Sequence, residues 1–154
     1  MQLADFLDTD AIKTALPGGN KRSLLKQLAD IAGQRIGAEA ATVLAGLNER
    51  EQLGSTGFGQ GVAIPHAKIE GLARIYCLFA RLGEPVDYKA IDGRPVDLVF
   101  LLLSPPDAGA EHLKALASIS RVTRDAATLE RLRGARSRDA LAAVLMGADE
   151  RDAA

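Results

Sequence analysis

Cysteine occurs once, at Cys77, and histidine twice, at His66 and His112, in a chain of 154 residues. A single thiol excludes an intramolecular disulfide and leaves almost no basis for a cysteine metal site. Neither sign of charge dominates: 25% of residues are charged and the formal net charge is -1, so a polybasic nucleic-acid surface and an acidic disordered tail are both disfavoured. The longest strongly apolar run, Leu98 to Leu103, falls far short of the ~20 residues that span a bilayer, and Ser104-Pro105-Pro106 follows it. Met1 to Asp5 lack the positive, apolar and small-residue regions of a secretory signal, so a cytoplasmic address without membrane insertion is expected. What is present is a 47% hydrophobic composition at a length that suits one domain with its own core.

Apolar residues at Leu24, Leu25, Leu28, Ile31, Ala32 and Ile36 form one stripe and predict a helix over 21–36 with Asn20 as its N-cap. A second helix is expected over 38–52, with Val43, Leu44 and Leu47 inward and Gly37 at the junction. Gly54, Gly57, Gly59 and Gly61 then crowd one short stretch, which marks either twisted short strands with bulges or a loop that approaches something closely. Val62 to Ile64 reads as a strand ending at Pro65, and Ile75 to Leu82 as another closed by a turn at Gly83-Glu84-Pro85. A weaker strand is expected over 86–91, before an Asp92-Gly93 turn. Val96 to Leu103 has the continuous apolar character of a central strand. Leu113, Leu116, Ala117, Ile119 and Val122 return to helical spacing, and two shorter helices are expected over 126–133 and 137–146, capped by Asp125 and Ser137 and stopped at Gly147. The fold expected is α/β: a single domain with a mixed β-sheet of about five strands and helices on both faces. A frayed tail is expected over 149–154.

His66 follows a short strand, a proline and the glycine-rich stretch. It reads either as a partly exposed loop histidine or as a nucleophile or acid/base, since imidazole titrates at ~6.5 and offers a neutral nitrogen near pH 7. His112 falls early in the helix after Pro106, on the face of Leu116 and Ile119. One reading is a histidine at the border of the core bonded to a backbone carbonyl. The other follows from α/β topology, in which ligands collect at strand C-terminal ends and helix N-termini, so that the two rings meet at one sheet edge. Arg50 reads as a solvated or dipole-complementing charge unless the glycine segment folds beside it, when its planar fork suits phosphate oxygens. Competing motifs fail on spacing. Gly57, Gly59 and Gly61 do not complete a dinucleotide fingerprint, no glycine precedes Lys-Ser or Lys-Thr, and Ser55 or Ser104 with His66 lacks a nucleophile elbow. Glu111-His112 with a distant His66 is a thin basis for zinc, and no metal or cofactor is expected.

The segment Arg50-Glu51-Gln52-Leu53-Gly54-Ser55-Thr56-Gly57-Phe58-Gly59-Gln60-Gly61-Val62-Ala63-Ile64-Pro65-His66-Ala67 closely resembles the phosphorylation-site motif of the fructose/mannitol-type enzyme IIA domains of the bacterial phosphotransferase system. The similarity extends from Leu7 and Ile12 through Asp92-Gly93-x-Pro95-Val96-Asp97 to His112-Leu113-x-x-Leu116-Ala117, and within the family it looks most like the nitrogen-regulatory branch. The resemblance implies one such domain over 1–148. It implies a phosphoryl relay in which a histidine-containing phosphocarrier protein is the donor and His66 the acceptor, with His112 and Arg50 stabilising the phosphoryl group. For that branch it implies regulation of protein targets such as kinases, transporters or channels, with no demonstrated sugar. A sugar-specific enzyme IIA that passes phosphate to a membrane permease, and an interaction module never phosphorylated on His66, are the alternatives. Phe58 and the loop over 57–61 are candidates for a docking surface, with Phe58 in the core as the other reading; Lys68 and Arg74 are either docking groups or solvated charges.

Overall fold

The computed structural model describes the backbone of residues 1–153 and the side chains of residues 1–147. Its centre is the strand that the apolar run predicts, β6 (Val96–Ser104), which is buried along almost its whole length. Strand β5 (Tyr76–Val86) pairs with it antiparallel on one side, and the short β1 (Lys13–Leu16) continues the sheet from β5 in parallel. On the other side β6 is flanked in succession by β3 (Val62–Ala63) and β4 (His66–Lys68), both parallel to it, and β2 (Gly57–Gly59) closes that edge against β3. The mixed sheet thus has six strands among the described residues, one more than the pattern suggests. The strands that the pattern does not mark are β1 and β4, whose four and three residues are too few for an alternating signal.

Successive side chains of β6 point to opposite faces, and each face has its own cover. Val99, Leu101 and Leu103 pack with Leu24, Leu28, Val43 and Leu47 of α1 (Lys21–Ile36) and α2 (Ala40–Gln52). Phe100 and Leu102 pack with residues of α3 (Gly109–Arg124), α4 (Ala126–Gly134) and α5 (Arg138–Ala153), among them Ile119, Leu132 and Leu141. The helix ends follow the expected caps: the Ser23 amide donates to Asn20, the Ala127 amide to Asp125 and the Ala140 amide to Ser137. The backbone of α5 continues past Gly147, where a stop is expected, and the expected frayed segment lies outside the described residues in its side chains and entirely at residue 154.

Two local expectations are corrected. Gly83-Glu84-Pro85 does not turn the chain; it lies within β5, which runs on to Val86 across an irregularity in register between Arg81 and Val86. A bulge tolerates a proline because no ladder hydrogen bond is required of it there. The weak strand expected over 86–91 is absent, since Lys89 adopts φ 59° and its amide and ammonium both bond the Asp87 carboxylate, which folds the segment into a turn while Tyr88 is driven inside.

The packing of α2 on the sheet edge depends on one missing side chain. A Cβ at Gly46 would stand 3.0 Å from the Cβ of Ala67 and 3.5 Å from Ile69 Cδ1, so glycine lets the helix lie against β4. Arg50, one turn further along α2, is carried to the same place. Gly46→Leu is expected to lower stability by about 1–3 kcal/mol through overpacking, measured by urea denaturation, and an unchanged midpoint would mean that α2 does not rest on β4 at this position.

Candidate functional site

His66 begins β4, and its register opposite Leu102 turns it to the face that α3 covers. It is only 8% exposed, so the loop-histidine reading does not hold. Its Nδ1–H donates to the carbonyl oxygen of Ile64 at 2.7 Å, and Arg50 Nε donates to its Nε2 at 3.1 Å. Two committed partners fix the tautomer: the proton sits on Nδ1 and the lone pair on Nε2. Arg50 is itself held by donation from Nη1 to the Gly54 carbonyl at 2.9 Å, which is the condition under which the sequence made it interesting.

His112 lies in the first turns of α3 and is buried as well, with its ring centroid 5.5 Å from that of His66. Its Nδ1 meets the hydroxyl of Ser104 at 2.6 Å rather than a backbone carbonyl. Both imidazoles and Arg50 line one cavity of about 350 Å³ at the sheet edge, together with Lys68 and Leu53. The three expected site residues are therefore brought together. Lys68 is exposed at the cavity, whereas Arg74 is exposed beside a different depression. Phe58 is 49% exposed on the edge strand β2, which places it on the surface and not in the core.

Behind Arg50 the chain is tied down by its neighbour. Glu51 takes an ion pair from Lys21 at 2.9 Å and accepts from the Thr56 amide at 3.1 Å and from the Thr56 hydroxyl. The Thr56 hydroxyl also meets the Tyr88 hydroxyl at 3.0 Å, and the Lys21 ammonium stands over the Tyr88 ring. Burial holds the Tyr88 phenol above its usual range, so it stays a protonated donor. This network joins the end of α2 to the start of the glycine segment, and sequence reading passed over it because Glu51, Thr56 and Tyr88 carry no motif of their own. Leu53 and Leu113, 82% and 67% exposed, were likewise missed as surface groups; Leu53 lines the cavity and Leu113 adjoins His112 in the chain.

Both rings are biased toward the neutral form. Burial lowers the His66 pKa from 6.5, the Ile64 carbonyl raises it in part, and the Arg50 guanidinium lowers it again. Burial lowers that of His112 too, assisted by His66 and Lys68. The site thus presents an unprotonated imidazole nitrogen beside a guanidinium, a nucleophile next to an anion receptor. Among the described residues no group of three or more His, Cys, Asp or Glu side chains could hold a metal ion, and no helix is long and apolar enough to cross a membrane.

Fold and site together define a class of protein: a doubly covered mixed sheet that carries two imidazoles and an arginine at one edge. The family described as "Phosphoenolpyruvate-dependent sugar phosphotransferase system, EIIA 2" matches residues 5–147. The chain is 46% identical to a nitrogen regulatory protein of Bradyrhizobium diazoefficiens, over 94% of this chain and 95% of that one. It is 42% identical to a nitrogen regulatory protein of Pseudomonas aeruginosa, over 82% of each. The crystal structure of nitrogen regulatory protein IIA-Ntr from Neisseria meningitidis superimposes with a TM-score of 0.88 at 34% identity, covering 93% of this chain and 98% of that one. The chain belongs to the EIIA 2 family of the phosphoenolpyruvate-dependent sugar phosphotransferase system. It is a phosphotransferase component homologous to nitrogen regulatory proteins, and its family implies a phosphoryl-carrier role and phosphoryl exchange with other proteins of that system.

Both imidazoles are expected to titrate with midpoints below 6.5 in an NMR pH titration, and Arg50→Ala to raise the His66 midpoint, because the guanidinium beside the ring disfavours its protonation. A midpoint at or above 6.5 for wild-type His66 would mean that the ring is solvated or paired with an anion.

Proposed function

We propose that the protein accepts a phosphoryl group from a histidine-containing phosphocarrier protein onto Nε2 of His66. The observation that carries this reading is the committed orientation of that ring, with Nδ1 bound to the Ile64 carbonyl and the Nε2 lone pair turned to Arg50. In the step, the P–N bond to the donor imidazole breaks and the bond to His66 Nε2 forms. The donor nitrogen departs with the electron pair, and no proton has to leave Nε2 because none is there. Positive charge gained by the His66 ring is offset by the Ile64 carbonyl that already accepts from Nδ1. Phosphoryl transfer requires chiefly in-line positioning and neutralisation of the equatorial oxygens. Arg50 releases the lone pair and turns its fork to those oxygens, and His112 supplies a second donor.

The exposed Leu53 and Leu113, with Phe58 further along the edge, form the apolar part of a surface on which the donor protein docks, and Lys68 adds a cation at the cavity. We read the protein as a cytoplasmic regulatory component of the nitrogen phosphotransferase system. Its phosphorylation state sets its engagement of protein targets such as kinases, transporters or channels. Support comes from the nitrogen regulatory relatives, which match over most of both chains.

The test is phosphotransfer from phosphoenolpyruvate through enzyme I and the phosphocarrier, read by intact mass and acid lability. Wild type is expected to gain one acid-labile phosphate and His66→Ala none, with its fold retained by circular dichroism. His112→Ala is expected to remain modifiable but about 10²-fold slower, the order of effect of removing one charge-stabilising donor. Phosphate moving on to a sugar through a companion permease would replace the regulatory reading with a sugar-specific one. No phosphate on wild type, from a donor active on another acceptor, would leave an interaction module.

A further inference from the structure

Ser104 is the last residue of β6, wholly buried, and its side chain shares a face with Phe100 and Leu102. Its hydroxyl has one hydrogen to place. The partner of its Oγ is Nδ1 of His112 at 2.6 Å, and no buried side-chain nitrogen or oxygen among the described residues is left unsatisfied. Were Nδ1 protonated, it would donate to Oγ and the hydroxyl hydrogen would be stranded in the interior, which costs about 1–3 kcal/mol. The opposite arrangement satisfies both groups: Ser104 Oγ–H donates, His112 Nδ1 accepts, and the ring proton stays on Nε2.

We infer that Ser104 is a positioning residue, which locks His112 in the Nε2-protonated tautomer and turns that N–H toward the cavity shared with His66. The inference rests on the phosphocarrier reading for its consequence, since the fixed N–H is then the donor that meets the phosphoryl oxygens. It gives the two imidazoles opposite settings. His66 has its proton on Nδ1, held by the Ile64 carbonyl, and a lone pair on Nε2; His112 has its lone pair on Nδ1, held by Ser104, and a proton on Nε2. One ring is set as a nucleophile and the other as a hydrogen-bond donor, although both are neutral. The serine does this from a strand end two residues beyond Leu102, the register partner of His66, so a single strand pairing sets both rings.

Long-range proton–nitrogen correlation spectra of the neutral imidazoles, recorded well above pH 6.5, read the tautomers directly. In the wild type His112 is expected to be protonated on Nε2 alone. In Ser104→Ala an Nδ1-protonated population is expected to appear, with phosphotransfer to His66 slowed about tenfold, the scale seen when a partner that orients a working imidazole is removed. Ser104→Thr, which keeps the hydroxyl, is expected to restore the single tautomer and most of the rate. Wild-type His112 protonated on Nδ1 overturns the inference, as does a Ser104→Ala protein with an unchanged tautomer and rate. A tautomer change on Ser104→Ala in a wild-type background that no competent donor phosphorylates upholds the lock and removes the phosphocarrier reading instead.

Discussion

Parallel pairing of β4 with the end of β6 sets His66 opposite Leu102 and Lys68 opposite Ser104, and the pleat then turns His66, Leu102 and Ser104 to the face that α3 covers. Ala67 points the other way, where the missing side chain of Gly46 admits α2. The strand is short and lies at an open edge, so it is reached from both layers at once: by His112 from the α3 side and by Arg50 from the end of α2. A slip of one residue in that pairing would exchange the faces and separate His66 from His112.

The electrostatics of the site follow from this placement. Two rings half a nanometre apart, both taken from water and with a guanidinium against one of them, cannot readily carry further positive charge. The neutral imidazole is therefore favoured, and a site that is poor for a proton is good for a phosphoryl group, which brings negative charge to the same donors. The Lys21–Glu51–Thr56–Tyr88 network makes no hydrogen bond with His66, whose ring nitrogens meet Arg50 and the Ile64 carbonyl. It fastens the residue after Arg50 and so fixes where the guanidinium starts.

Much of the helical framework was legible from spacing and caps, because Asn20, Asp125 and Ser137 act locally and α1 has the bounds its apolar stripe predicts. The central strand was legible for a different reason, since an unbroken apolar run before Pro105 has few other places to go. The edge was not. Strand β1 is too short to signal itself, β4 follows a proline that reads as a strand end, and the bend expected at Gly83 to Pro85 is absorbed as an irregularity in the pairing of β5 with β6. The site is half legible: the family resemblance joins His66, His112 and Arg50, whereas Ser104 has no nucleophile elbow to mark it and Glu51, Thr56 and Tyr88 carry no motif of their own.

By itself the sequence determined the class of chemistry through the segment Arg50 to Ala67 by which it resembles the enzyme IIA family, since composition removes only disulfide and cysteine-metal chemistry, and it determined the helices through signals carried within a turn or two of chain. Only the tertiary structure decided which nitrogen of each imidazole carries the proton. That depends on a carbonyl at Ile64 and a hydroxyl at Ser104, the second brought to its ring by the loop between β6 and α3, and a tautomer is set by what stands within hydrogen-bond reach.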